Sequence, residues 1–292
     1  MRTEEEVLRR FKGWAQQNDL IRAAVLIGSR GRSQRGIDFL SDYDIELYVA
    51  DFVPFQKDDQ WLNAFGSIMI RWPLRPKSTW SEEWITRLVL FDDGVRIDFQ
   101  ITDQKSIRPD AYDAGYKILL DKDNLTGELR EPTFSKYFIK KPSREEYDTL
   151  VYEFWWNAAY VPKCLWRDEL PFAANMMGQY IRGTYLQTII EWFIGLQNDW
   201  SVNTGLYGRH FKRYLDEKRW SEYAATFAGA DIEENWQAFS NAVILFRKLA
   251  KIVGNNLGYT YPVHLDKEMT DYYSYIRNTN KKTADEEGAT DA

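Results

Sequence analysis

Gly28, Ser29, Asp42, Asp44 and Asp98 are the residues of this sequence whose types and spacing bear most directly on chemistry. Transfer of a phosphoryl-type group needs an anchor for phosphate oxygens and divalent cations held by carboxylates. Gly28 follows a short apolar run, where the chain can turn closely beneath a phosphate, and Ser29 offers its amide and its hydroxyl to the same oxygen. Asp42 and Asp44 alternate with Tyr43, Ile45, Leu47 and Val49, so both point to one strand face, together with Glu46 and Tyr48. Two carboxylates so placed suit magnesium, which prefers carboxylate, water and phosphate oxygens. Asp98 shares a face with Arg96 and Gln100, opposite Val95, Ile97, Phe99 and Ile101, and joins the pair if its strand is a neighbour. Three converging carboxylates repel one another without a cation, so metal binding explains them better than stability does. Taken singly, each has a plainer reading as a turn, a strand edge or a surface acid; taken together they favour a site.

Such residues need a scaffold, and the apolar pattern supplies two kinds. Thr3 and Glu6 frame a capping box, and Val7, Leu8, Phe11 and Trp14 recur at helical spacing, which predicts a helix over residues 4–17. Residues 23–27 read as a buried strand and 30–38 as a loop. A short helix over 57–66, a strand at 67–70, two strands flanking the turn dipeptide Asp93-Gly94 and a strand near 116–120 complete a sheet region. Residues 121–142, with Pro132 and Pro142, read as a crossing between domains. The period then changes to 3.6. Ser143 with Glu146 opens a helix that runs to a break near Pro162, a long helix covers 172–197, shorter ones fit 206–218 and 219–228, and Asp231 caps a last long helix ending near Gly254. The expected fold class is α+β, with a mixed-sheet domain over 1–135, a helical bundle over 136–280 and a frayed tail over 281–292.

The formal charge of −6 argues against a nucleic-acid binder, which needs a concentrated basic surface, and leaves room for a cationic small-molecule partner. Aromatic residues make up 16% of the chain, more than a simple core requires, which suggests clefts lined by large rings. No signal-like or membrane-length apolar stretch is present, so a cytoplasmic protein without a membrane partner is expected. The lone Cys164 permits no intrachain disulfide and reads as a buried structural thiol, while His210 and His264 stand too isolated for a zinc site.

Three stretches carry a family resemblance: Gly28-Ser29-Arg30, then residues 38–45 with Asp42-Tyr43-Asp44-Ile45, then residues 91–98 ending in Arg96-Ile97-Asp98. This pattern resembles the aminoglycoside 6-adenylyltransferases, the streptomycin-modifying branch of the polymerase-beta-like nucleotidyltransferase superfamily. Residues 156–161 and 165–172 extend the likeness into the helical half, to about residue 270. The resemblance implies a nucleotidyltransferase domain at the N-terminus and transfer of AMP from ATP, with Mg2+, to a hydroxyl of streptomycin. It implies Asp42, Asp44 and Asp98 as catalytic metal-site carboxylates and Gly28, Ser29 and Arg30 as the phosphate seat. Glu153, Trp155, Trp156, Trp166, Asp168 and Glu169 are the candidates for holding a cationic acceptor between the domains, through guanidinium–carboxylate pairing and ring stacking. One departure stands out. Where the family has an Asn-Pro-like segment this chain has Gly31-Arg32-Ser33-Gln34-Arg35-Gly36, so Arg32 and Arg35 are either triphosphate contacts or solvated loop residues. Another acceptor, or a silent relative that binds nucleotide or a protein partner, remains the alternative reading, and the oligomeric state stays open.

Overall fold

The computed structural model describes residues 1–32, 37–75 and 83–279. Ser33, Gln34, Arg35 and Gly36 of the expected loop, and the expected tail at 281–292, lie outside the described residues. The chain divides into two compact units, Met1–Lys136 and Tyr137–Ala292.

In the first unit α1 (Glu4–Gln17) starts on a reciprocal cap: the Thr3 hydroxyl accepts from the Glu6 amide, and the Glu6 carboxylate accepts from the Thr3 amide. Six strands follow, β1 (Ile21–Ile27), β2 (Tyr43–Val49), β3 (Ile68–Trp72), β4 (Ile85–Phe91), β5 (Arg96–Asp103) and β6 (Lys117–Asp121). They form one sheet in the order β3-β4-β5-β2-β1-β6. Among the described residues only the β2–β5 pairing is parallel, which makes the sheet mixed, as the sequence pattern predicts. The Asp93-Gly94 turn closes the β4–β5 hairpin, with Gly94 at φ 82° and its amide donating to the Phe91 carbonyl. A single helical turn, α2 (Gly28–Gly31), continues directly from β1, and α3 (Val53–Lys57) leads into a 3-10 segment at Gln60–Phe65.

Alternation along the strands separates two faces. Ile45, Leu47, Val49, Ile97, Phe99 and Ile101 pack into one core with Val7, Phe11 and Ala15 of α1. The opposite face carries the polar residues and a small apolar cluster of Ala23, Val25, Tyr48 and Tyr112. This face holds the candidate site.

The second unit is helical: α4 (Arg144–Ala158), α5 (Tyr160–Trp166), α6 (Leu170–Asn175), α7 (Gln187–Gln197), α8 (Phe211–Tyr214), α9 (Glu217–Ala224), α10 (Ile232–Leu257) and α11 (Val263–Asn278). The expected break at Pro162 falls earlier, at Ala159, because Pro162 sits in the first turn of α5, where a missing amide proton costs nothing. The helix expected over 172–197 runs from Leu170 to Gln197, but its middle, Met176–Leu186, is wound as a π-helix. Gly183 permits this winding, since a Cβ there would come within 2.9 Å of the Gly178 carbonyl oxygen. The unit's core gathers Phe154, Trp155, Ile181, Ile190, Phe246 and Leu249. No helix among the described residues is long and apolar enough to cross a membrane.

Candidate active site

The site begins at the end of β1. Ile27 pairs with Asp44 of β2, and the chain then turns at Gly28 with φ +65°. A Cβ at residue 28 would lie 2.7 Å from the Asp44 carboxyl carbon, so the backbone approaches the carboxylate as closely as only glycine allows. Ser29 is exposed beside it. Arg30 is different. It is 5% exposed, with Nη1 on Glu4 at 2.6 Å, Nε on the Ser41 carbonyl at 3.0 Å, Nη2 on the Asp38 carbonyl at 3.1 Å, and its guanidinium over the Tyr43 ring. The geometry therefore corrects the expectation of a phosphate-seating arginine at 30: its donors are committed to fixing the approach to β2.

Parallel pairing of β2 with β5 sets Asp44 in register with Asp98 and Glu46 in register with Gln100. Burial raises the Asp44 carboxyl above the usual range, and the charges of Asp98 and Asp42 push the same way against Arg96 and Arg32. Asp42 is likewise raised by burial, with Arg96 opposing and Asp98 reinforcing. Arg96 grips Asp98 with two hydrogen bonds, Nε to Oδ1 at 2.9 Å and Nη2 to Oδ2 at 2.8 Å, and lies 3.6 Å from Asp42 Oδ2. Among the described residues no group of three or more His, Cys, Asp or Glu side chains is arranged to hold a metal ion. The donor chemistry nevertheless fits a hard cation: oxygen ligands, like charges forced together, and a guanidinium partly neutralising them.

Further along the same face, Glu46 accepts hydrogen bonds at Oε2 from Tyr112 at 2.5 Å and Tyr48 at 3.2 Å, and the two hydroxyls touch each other at 2.5 Å. Burial raises the Glu46 carboxyl although both tyrosines oppose the shift. The period-two pattern already puts Glu46 beside Asp44; Tyr112, distant in sequence, gives no such signal.

The acceptor candidates of the helical unit do not form one group. Glu153 and Trp156 are exposed on α4, Trp156 at 71%, whereas Trp155 is 1% exposed and stacks on Tyr273 in the core. Trp155 is therefore corrected from a candidate acceptor platform to a core residue. Trp166 is partly buried and donates its indole N–H to the Thr279 carbonyl at 2.8 Å. Asp168, at φ 66°, and Glu169 are exposed in the turn between α5 and α6. Asn157, one residue from Trp156, donates to the Tyr185 hydroxyl at 2.6 Å, a contact that sequence spacing does not reveal. Cys164 is buried, as expected of a structural thiol, and burial raises its pKa.

A mixed sheet with an acidic face, followed by a helical unit, is the class of protein that the fold defines. Comparison with known proteins narrows this. The model of the streptomycin adenylyltransferase family matches residues 1–276, and the chain belongs to that family. It is 33% identical over 280 residues to the aminoglycoside 6-adenylyltransferase of Bacillus subtilis (strain 168), covering 93% of this chain and 97% of that one. The Campylobacter jejuni enzyme of the same name is 31% identical over 277 residues, covering 93% and 95% of the two chains. The Staphylococcus aureus enzyme is 29% identical over 286 residues, covering 95% and 99%.

Proposed function

We propose that this protein transfers AMP from ATP to a hydroxyl of an aminoglycoside of the streptomycin type, with Mg2+ held at Asp42, Asp44 and Asp98. The observation that carries the reading is the register of Asp44 with Asp98 on adjacent strands, beside a turn that only glycine can make. In the reaction the acceptor oxygen bonds to the α-phosphorus, the bond to the β-phosphate oxygen breaks, pyrophosphate leaves and the hydroxyl proton is lost.

Each residue has a definable part in this. The Gly28 turn brings the chain close beneath the phosphates, and the Ser29 amide and hydroxyl donate to them. Asp44 presents its oxygens from β2 and Asp42 from the residue just before that strand, and Asp98 adds a third carboxylate that also receives or relays the hydroxyl proton. Arg30 keeps the chain before β2 in place through Ser41 and Asp38. Bound magnesium would supply charge neutralisation for the triphosphate and the developing oxyanion. In the helical unit Glu153, Trp156, Trp166, Asp168 and Glu169 remain the residues proposed to hold the cationic acceptor.

The test is transfer of labelled AMP from ATP across a panel of aminoglycosides, with a no-acceptor control and with EDTA. Labelled streptomycin that forms only in the presence of divalent metal is the expected result. Labelling of another aminoglycoside alone would retain the chemistry and discard this acceptor; no labelled product would remove the reading.

A further inference from the structure

The helical unit holds a guanidinium that neither its packing nor the proposed transfer chemistry accounts for. Arg219 and Arg247, the other partly buried arginines described in that unit, each pair with a carboxylate, Glu222 and Asp266 respectively. Arg182 breaks the pattern. It lies in the π-wound segment Met176–Leu186, and among the described residues no carboxylate's charge acts on it. Burial pushes its pKa below the usual arginine range, opposed by the Tyr223 side chain.

Its position is nonetheless fixed. Nη1 donates to the Thr226 carbonyl at 2.7 Å, and the guanidinium carbon sits 4.6 Å from the centroid of the Phe227 ring. Both partners belong to the connection between α9 and α10, where Thr226 is fully buried. One edge of the fork is left over. Nε and Nη2 make no hydrogen bond within the described residues, and neither nitrogen is sealed from solvent. Gly178, four residues earlier on the same segment, shows what they face. Apart from its own turn of helix, a Cβ there would meet only Arg182 Nη2, at 3.8 Å, so the glycine leaves open space in front of that nitrogen. A π-wound stretch is rare and concentrates at functional sites; here it carries both residues.

A cation held partly out of water, stacked on one ring and presenting two parallel donors to an opening suits an anion with two oxygens. A neutral ligand would satisfy the donors and leave the charge uncompensated; an oxyanion supplies both. Carboxylate and phosphate share that geometry. Phosphate is the one the proposed reaction brings, since ATP enters it and pyrophosphate leaves, and in that choice the inference rests on the functional reading above.

We infer that Arg182, with its Nε and Nη2 edge facing the opening at Gly178, forms a binding site for a phosphate-type oxyanion on the helical unit. Free phosphate or pyrophosphate and a phosphate of the nucleotide share this chemistry, and the test separates them.

The experiment is phosphorus NMR titration of inorganic phosphate and of pyrophosphate, in EDTA at low ionic strength, into wild-type, Arg182→Gln, Arg182→Lys and Gly178→Leu proteins. Thermal unfolding and labelled-AMP transfer are measured on each. Arg182→Gln removes both charge and fork. Gly178→Leu keeps the guanidinium and fills the opening from a Cβ at ordinary contact distance, so the test survives if the first variant fails to fold. Wild type is expected to bind both anions saturably, and these two variants to raise the Kd roughly tenfold to hundredfold, as for loss of a charged hydrogen bond. Arg182→Lys, which keeps the charge without the fork, should fall between. Repeating the phosphate titration with Mg2+ and a non-hydrolysable ATP analogue identifies the source: competition assigns a phosphate of the nucleotide, and independent binding assigns a separate anion. No saturable binding by wild type, or an unchanged Kd in the folded variants, overturns the site. Acetate bound as tightly as phosphate overturns the choice of phosphate. A wild-type protein that binds phosphate through Arg182 yet transfers no AMP keeps the site and removes the functional reading.

Discussion

Arg96 and Asp98, two residues apart on β5, are joined by paired hydrogen bonds of 2.9 and 2.8 Å, and the same guanidinium lies 3.6 Å from Asp42. A positive side chain thus meets two of the carboxylates proposed to hold magnesium. Cation and guanidinium compete for the same oxygens. Arg96→Ala is therefore expected to tighten Mn2+ binding to the nucleotide-free protein by about three- to tenfold, since each competing charged hydrogen bond is worth on the order of 1.5 kcal/mol before solvent screening at this half-exposed site. Paramagnetic titration with Mn2+ measures this. An unchanged or weaker affinity would show that Arg96 does not compete with the metal.

The three aspartates make a second prediction about stability rather than rate. Burial and like charges raise the Asp44 carboxyl, so its ionised form is disfavoured by the folded state. The sign follows from proton binding. Between the ordinary aspartate pKa and the raised folded value, the native state holds more protons than the unfolded one, so stability falls as pH rises through that window. In EDTA, Asp44→Asn is expected to melt at or above the wild-type temperature near pH ~8, and the gap should close as pH falls toward ~4. Metal-dependent transfer should fall by on the order of a hundredfold or more even though the fold is intact. Thermal unfolding against pH checks the first part, and a variant that melts well below wild type at high pH would contradict it.

Gly28 couples backbone form to the same carboxylate. Alanine at φ +65° is strained, and its Cβ would press on Asp44. Gly28→Ala is expected to cost about 1–2 kcal/mol of stability from the backbone alone. Transfer should fall by a larger factor, because Asp44 has to move. Urea unfolding and single-turnover assays compare the two losses; a rate loss no greater than the fraction unfolded would mean that the turn serves folding alone.

How much of this was readable from residues can be traced element by element. Period-two alternation put Asp44 and Glu46 on one face of β2, with Asp42 falling just before the strand begins, and Asp93-Gly94 announced the β4–β5 hairpin, because both signals are local. That β5 lies beside β2 rather than beside a sequence neighbour is non-local: β3 and β4 intervene in the chain yet flank the far side of β5. Arg30 was misassigned for a similar reason. Its position after Gly28-Ser29 suggested phosphate, but its partners Glu4, Asp38 and Ser41 come from two other segments. α11 was not anticipated, although Leu265, Met269, Tyr273 and Ile276 recur at helical spacing and could have disclosed it. Its polar neighbours masked the stripe.

Away from the site, Asp59 and Arg87 form an ion pair in which both side chains are fully buried, with Nε to Oδ1 at 2.6 Å, and Arg71 reaches the other Asp59 oxygen at 2.7 Å. Removing one partner leaves buried charge uncompensated. Asp59→Ala is expected to lower stability by about 3–5 kcal/mol. An apolar pair of similar volume at 59 and 87 should recover most of it. Chemical denaturation of the single and double variants tests this, and equal losses in both would show that the sheet edge depends on the charges themselves.

Adjacent tryptophans on α4 give the clearest separation of fold from function. Trp155 is 1% exposed, lies under the Arg247 guanidinium and stacks on Tyr273, whose hydroxyl donates to the Trp155 carbonyl at 3.0 Å. Trp156, next in sequence, turns the other way and is 71% exposed. The 100° rotation per residue of an α-helix accounts for the difference. Truncating Trp155 to alanine is expected to cost about 3–5 kcal/mol of stability through the cavity it leaves. Trp156→Ala should leave stability within about 0.5 kcal/mol, as for surface substitutions generally. If Trp156 stacks on a guanidinium of the acceptor, its loss should instead weaken streptomycin by about three- to thirtyfold, the range of one cation–π contact. Trp156→Phe should restore part of that affinity, because a smaller ring keeps a π-face, whereas Trp156→Leu should not despite its apolar bulk. Calorimetric titration of streptomycin into the three variants, beside thermal unfolding, separates these outcomes. Equal affinity for all three would place the acceptor's cationic groups elsewhere and leave Trp156 as an exposed ring with no part in binding.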